Sequence, residues 1–184
     1  MSVKSDRWII ETARHHDLIK PFSEDQVRNG ISFGVSSYGY DISLSNEFKV
    51  FNPDAVSELD PKNNKPAHFD DVVSESVLVP ANSFVLARTR EYFKIPRDIL
   101  TICFGKSTYA RCGLVVNVTP FEPEWEGYAT VSLANTAPRP IRVYAGEGIA
   151  QLIFLEASDV CRTSYKDKKG KYQAQKEITL SRSE

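Results

Sequence analysis

From Phe33 onward the chain breaks into short β-rich runs, at 40–44, 48–51, 72–79, 84–89, 100–104, 114–119, 128–134, 141–144 and 149–155, separated by Pro, Gly, Asn and Asp. Many short strands at fairly even spacing, with no helical pattern between them, predict an antiparallel β-barrel or jelly roll. One stretch alone reads as helix. Ser5 suits an N-cap, and Trp8, Ile9, Thr12, Ala13 and His16 recur near the helical period up to the break at Pro21. The expected class is therefore mainly β with a short N-terminal helix. A length of 184 residues suits a single domain, divided into a helical segment at 1–20, a β core at 33–160 and a tail at 164–184. The polar stretch 52–71, with Pro53, Pro61 and Pro66, reads as a long surface loop, and Gly146-Glu147-Gly148 as a tight turn. The charged tail, with Lys168-Lys169-Gly170-Lys171, suits either disorder or a flap over a ligand.

Charge and cysteine usage narrow the function classes. Lys+Arg 23 against Asp+Glu 24 leaves a net charge of -1, so no basic footprint for nucleic acid or an anionic membrane is present. No apolar run approaches the ~18 residues of a membrane span, and the first residues lack the apolar core of a signal peptide. Cys103, Cys112 and Cys161 are odd in number and widely spaced. They suit neither a disulfide framework nor a paired zinc site, and fit a reducing cytoplasm.

Several chemistries are excluded by motif. Zinc nucleoside deaminases hold their metal with His-x-Glu and Pro-Cys-x-x-Cys. Here His15, His16 and His68 are followed two residues on by Asp17, Leu18 and Asp70, and no Cys-x-x-Cys occurs. A Walker A loop, a Gly-x-Gly-x-x-Gly and a Gly-x-Ser-x-Gly elbow are also absent. The richest remaining segment is Gly105-Lys106-Ser107-Thr108-Tyr109-Ala110-Arg111. Glycine lets the backbone approach a ligand, Lys106 and Arg111 supply charge, and Ser107 and Thr108 supply hydroxyl donors. That set suits a phosphate chain, and equally a solvated turn between strands. Ser36-Ser37-Tyr38-Gly39-Tyr40-Asp41 reads by itself as strand-entry turn chemistry. Glu122, Glu124 and Glu126, interleaved with Pro123 and Trp125, suit a metal, an oriented water or a decorated rim. Lys171, Tyr172 and Gln175 set a cation, an aromatic plate and an amide in the tail.

Together and in this order, these segments resemble the dCTP deaminase family, itself related to trimeric dUTP diphosphatases. The match includes Lys4-Ser5-Asp6-Arg7-Trp8-Ile9, Ala87-Arg88-Thr89-Arg90-Glu91-Tyr92-Phe93, the 105–111 segment, Asn117-Val118-Thr119-Pro120-Phe121-Glu122-Pro123-Glu124-Trp125-Glu126-Gly127-Tyr128, Glu147-Gly148-Ile149-Ala150-Gln151 and Ser164-Tyr165-Lys166-Asp167. The resemblance implies a distorted jelly roll of the dUTP diphosphatase type and a homotrimer with sites at subunit interfaces. It implies a zinc-independent enzyme that takes dCTP with Mg2+ on its triphosphate and yields dUTP and ammonia. Carried over by position, Lys106, Ser107 and Thr108 would contact phosphates or polarise the attacking water, with Arg111 beside the base. The backbone of Val118, Thr119 and Pro120 would read the cytosine edge, and the sugar would stack near the bend from Phe121 to Trp125. Tyr165, Lys171 and Gln175 would close over the triphosphate. Glu122 lies about where the dUTP diphosphatase relatives carry an acid that activates water for attack on phosphorus.

One position departs from the pattern. Where the family usually reads Val-Thr-Leu-Glu-Phe-Ser-Asn, with Glu as general acid and base, this chain reads Ala129-Thr130-Val131-Ser132-Leu133-Ala134-Asn135, which puts Ser132 in the place of the glutamate. A carboxylate shuttle is typically worth ~10²–10⁴-fold in rate, and an unactivated serine hydroxyl cannot take that role. Strand alternation puts Thr130, Ser132 and Ala134 on one face. Three accounts follow: deamination with a base from Glu122, Glu124, Glu126 or an unmatched residue; a deamination-deficient homologue that binds or hydrolyses a pyrimidine triphosphate, diphosphatase-like or regulatory; and a pocket for a modified pyrimidine nucleotide.

Overall fold

The computed structural model describes residues 2–182; the outermost residues of the predicted helical segment and tail, Met1, Ser183 and Glu184, lie outside them. The chain runs β1 (Ser2–Val3), α1 (Asp6–His16), β2 (Ile19–Lys20), β3 (Gly34–Ser36), β4 (Gly39–Phe51), β5 (Phe69–Val73), β6 (Ser76–Val79), β7 (Phe84–Lys94), β8 (Ile99–Gly105), α2 (Ser107–Ala110), β9 (Leu114–Asn117), β10 (Glu126–Asn135), β11 (Ile141–Tyr144) and β12 (Gly148–Glu156). Ten strands form one sheet along the path β1-β12-β4-β7-β10-β9, with β2, β3, β5 and β8 attached to its members, while β11 and β6 pair separately. Every strand pair is antiparallel. The fold is thus the mainly β, jelly-roll class with one N-terminal helix of several turns.

The departures from the sequence reading have local causes. The runs at 40–44 and 48–51 fuse into β4, because the polar residues between them sit at a register shift against β7, between Leu44 and Phe48; such an irregularity bends a strand without ending it. The run 72–79 splits instead. Val73 pairs with Glu47 on β4 and Ser76 with Tyr144 on β11, so the chain changes partners at Ser74, whose N–H donates to the Asn46 carbonyl. The loop 52–71 contains two short 3-10 turns, at Pro53–Ala55 and Pro66–His68, before β5 begins at Phe69. The helix stops at His16, earlier than Pro21, with Asp17 in the left-handed region (φ 55°). Ser5 is its N-cap by position but makes no side-chain capping bond.

Strict alternation along β7 and β10 sets the geometry of the site. Val85, Ala87, Thr89, Glu91 and Phe93 point inward from β7, and Ala129, Val131 and Leu133 from β10. They meet Tyr40, Phe48 and Phe154, all fully buried, each such side chain contributing roughly 1.5–3 kcal/mol through burial. The intervening residues, Phe84, Leu86 and Arg88 on β7 and Tyr128, Thr130 and Ser132 on β10, form the opposite face of the sheet. Glu91 is a buried acid on this inward face. Its carboxyl accepts from the Ser43 backbone N–H (3.0 Å) and from Ser43 Oγ (2.6 Å), and burial pushes its pKa up to about 7.

Candidate active site

The outward face of β7, β10 and β9 floors a pocket of about 720 Å³, within the range of small-molecule sites. Ser132 sits on this floor, opposite Leu86 on β7 and Asn117 on β9. The register that the sequence gives Ser132 therefore brings its side chain to the pocket, beside Thr130 and the apolar Phe84, Leu86 and Leu100. Past Asn117 the strand ends, and Val118, Thr119 and Pro120 continue along the pocket as irregular backbone. Phe121 then turns back toward β8, its N–H donating to Thr101 Oγ1 at 2.8 Å. Phe121 and Trp125 line the pocket while exposing only 4% and 6% of their surface. Their rings, 4.8 Å apart, serve as pocket wall and core at once.

The three candidate carboxylates separate. Glu122 lines this pocket, its carboxylate 2.9 Å from Lys168 Nζ. Glu124 and Glu126 face a second, polar cleft behind the bend, with Arg97, Lys94 and His15. A hydrogen bond from Ser164 and the Arg97 guanidinium hold Glu124 below the usual carboxylate range. Among the described residues, Glu122 is the one acid on the pocket lining.

The tail forms the remaining wall. Ala174 N–H donates to the Glu126 carbonyl, Tyr128 N–H to the Gln175 carbonyl, and Gln175 Nε2 to the Tyr128 carbonyl (2.6 Å). The near half of the β10 edge is thereby filled by the tail, as the far half is by β9. Tyr165 Oη accepts from Tyr172 N–H, Trp125 Nε1 donates to the Tyr172 carbonyl (2.8 Å), and Thr179 N–H donates to Thr130 Oγ1. Lys171 Nζ donates to the Arg182 carbonyl (2.8 Å) and stands 5.6 Å from the Tyr172 ring centroid. Ser181 Oγ is buried on the pocket lining without a hydrogen-bond partner. Tyr165, Lys171 and Gln175 are thus gathered on one pocket, with Val118, Thr119, Pro120, Glu122, Trp125 and Ser132.

The 105–111 segment is not brought to it. Lys106, Ser107, Thr108 and Arg111 are absent from the pocket lining. Helix α2 stands at the Leu114 end of β9 and the pocket at the Asn117 end, three residue steps or ~10 Å away along the strand. Buried Tyr109 pins α2 in place, its Oη accepting from the Tyr144 N–H. Lys106 Nζ turns inward to Asp41 Oδ2 (2.5 Å) and Ser32 Oγ (3.3 Å). Ser107, Thr108 and Arg111 are exposed, and Arg111 donates to the Ser107 carbonyl at 2.9 Å.

Sequence reasoning missed Phe84, Leu86, Leu100 and Ser181 as pocket residues. The period of two on β7 assigns Phe84 and Leu86 a face but not what lies over it; nothing near Ser181 marks it. Arg97, which ties Glu124 and Asp167 together, was also missed.

A nucleotide-sized recess on the outer face of an antiparallel sheet, walled by irregular backbone and a folded-back terminus, makes this a small-molecule-binding jelly-roll protein. Its relatives are specific. Residues 3–157 match the family described as dCTP deaminase-like, and the chain belongs to that family. It is 60% identical over 181 residues to the dCTP deaminase of Acidobacterium capsulatum and 58% identical over 185 residues to that of Methylococcus capsulatus, covering 98% of each chain in both cases. The dCTP deaminase of Wolinella succinogenes is 57% identical over 183 residues, with 99% of this chain and 98% of that one aligned. The crystal structure of 2'-deoxycytidine 5'-triphosphate deaminase from Agrobacterium tumefaciens superposes with a TM-score of 0.62 at 17% identity, over 83% of this chain and 47% of that chain. That likeness establishes the shared fold.

Proposed function

We propose that this chain is a dCTP deaminase: it adds water to C4 of the cytosine of dCTP, protonates N3 and releases ammonia, leaving dUTP. The observation that carries the reading is the pocket itself, with the 118–120 backbone, the Ser132 floor and the tail around it, in a chain nearly 60% identical end to end to dCTP deaminases. In this reading Val118, Thr119 and Pro120 present peptide groups to the pyrimidine edge, and Tyr165, Lys171 and Gln175 lie over the triphosphate. The buried, unpartnered Ser181 hydroxyl is a ready donor to such a ligand. In this reading water activation falls to side chains. Mg2+ enters as part of the substrate, on the triphosphate oxygens. With serine at position 132, Glu122 is the carboxylate that relays the water's two protons in turn, the first to N3 as hydroxide adds to C4 and the second from the new C4 hydroxyl to the amine as ammonia leaves.

In this reading the missing guanidinium and hydroxyls come from a second copy. Leu100, Ile102 and Phe104 form an exposed apolar row along β8, with Val115 on the adjacent β9; Phe104 is 59% and Val115 50% exposed. A row of this kind suits burial against like chains. Trimeric packing through it would carry Ser107, Thr108 and Arg111 of one copy to the pocket of the next. Three free cysteines, with the Cys103 thiol pushed up to about 12 by burial, fit a reducing cytoplasm.

A second reading has its own observation. Glu122 stands at the rim, its side chain 41% exposed and paired with Lys168, while the floor at Thr130 and Ser132 is neutral and flanked by Leu86 and Phe84. Such a floor suits a pyrimidine triphosphate that is bound or hydrolysed without deamination, or one carrying a ring substituent. Incubation with dCTP, dUTP and a 5-substituted dCTP in Mg2+, followed by chromatography, separates the readings. Formation of dUTP from dCTP supports deamination. Release of dUMP and diphosphate, or turnover of the substituted nucleotide alone, replaces it with the second reading.

A further inference from the structure

The wall bend and the tail meet at a side chain outside the pocket. Arg97 Nη1 lies 2.5 Å from Glu124 Oε2, and its Nη2 lies 2.8 Å from Asp167 Oδ2. Nη2 also donates to the backbone carbonyls of Cys161 (3.3 Å) and Arg162 (3.1 Å). One planar guanidinium therefore holds the apex of the 121–126 bend and the start of the tail, a geometry that a fork of donors fits and a point charge does not.

Each element that Arg97 grips presents pocket residues on its other side. Glu124 has φ of 60°, a left-handed conformation that a residue with a side chain keeps only when its surroundings impose it. Ile95 adds a backbone clasp to the same bend, accepting from Glu124 N–H and donating to the Trp125 carbonyl. Across the bend, Glu122 faces the pocket. On the tail, Asp167 closes a reciprocal turn with Ser164, accepting from its N–H and donating its own N–H to Ser164 Oγ. The next contacts lead to the pocket wall: Tyr165 N–H to the Pro123 carbonyl, and Lys168 to Glu122. Arg97 itself does not line the pocket.

We infer that Arg97 is a positioning residue which, from behind the pocket, locks the Glu124 bend to the Asp167 turn and so keeps the tail closed over the nucleotide. The inference rests on the proposed nucleotide site. Its physical core, that Arg97 sets how often the tail opens, holds with no nucleotide bound.

The experiment compares wild type, Arg97→Ala and Arg97→Lys in three measurements: melting temperature, ligand-free trypsin cleavage within residues 166–171, and the KM and kcat for dCTP. Cleavage of a segment that opens and closes rapidly follows its open population. Arg97→Ala is expected to raise tail cleavage about tenfold or more with the β core intact. It is expected to raise KM at least roughly fivefold while kcat stays within about twofold. Arg97→Lys, which keeps the charge but loses the fork, falls between. Wild-type cleavage and KM in both variants would overturn the inference, as would tail cleavage that rises only when the whole chain melts. Should Arg97→Ala fail to fold, Glu124→Gln and Asp167→Asn each remove one arm, and unchanged tail cleavage in both overturns it equally. A wild type that leaves dCTP untouched defeats the deaminase reading alone, since ligand-free cleavage still reads the effect of Arg97.

Discussion

The pocket and the α2 turn answer to the same ligand in the proposed site, yet the chain holds them in opposite ways. The pocket is finished within one chain: β9 and the tail divide the edge of β10 between them, and Trp125, Tyr165 and Gln175 are fixed by hydrogen bonds. The α2 turn is anchored from beneath by Tyr109 but presents Ser107, Thr108 and Arg111 to open solvent. In the proposed site the reading surface and Lys171 are internal while Arg111 is external, an arrangement that would tie catalysis to association.

The largest test strikes the internal half. Glu122→Gln is expected to lower kcat for dCTP by about 10²–10⁴-fold, and Ser132→Glu, which sets a carboxylate on the floor, to restore it in that background. Full activity in Glu122→Gln would move the proton shuttle elsewhere. The external half comes next. Arg111→Ala is expected to cost about 10²–10³-fold in kcat/KM with an unchanged melting temperature, since its bond to the Ser107 carbonyl is exposed. Mixing the two inactive variants under conditions that exchange subunits should recover part of the activity. No recovery would mean that one chain supplies both halves.

Smaller effects sharpen the contrast. Removing the residues after Ser164 is expected to raise KM roughly tenfold while sedimentation still reports the same assembly; loss of the assembly would make the tail part of the subunit contact. The smallest effect on activity lies in the core behind the pocket, where the change is read on stability instead. Glu91 has a folded pKa of about 7 against an ordinary 4.5. Below pH 4.5 both folded and unfolded states carry the proton, and the stabilisation is fully present. As pH rises toward 7 the unfolded chain releases its proton first, so stability falls by on the order of a few kcal/mol and then levels off. Glu91→Gln should remove that slope from urea midpoints measured between pH 4.5 and 8.

The sequence disclosed the fold through its punctuation and the pocket through its motifs, for different reasons. Alternation on β10 was enough to put Ser132 and Thr130 on one face, and the register bears that out. The fusion of two runs into β4 was hidden because Ser45-Asn46-Glu47 reads as a break, and only pairing with β7 shows it as a bend. Three glutamates spaced by two look alike in a linear reading. The left-handed turn at Glu124 sends its carboxylate and that of Glu126 to the far side and leaves Glu122 on the pocket. Arg97 has no neighbouring motif, because each of its partners is distant in sequence.

The bonding of Ala174 and Gln175 to Glu126 and Tyr128 also protects the molecule from its own kind. An unoccupied strand margin at 126–130 would invite another chain to add itself there. By filling that margin, the terminus keeps a β-rich protein from sticking, so shortened forms should cloud at concentrations where the intact protein stays clear.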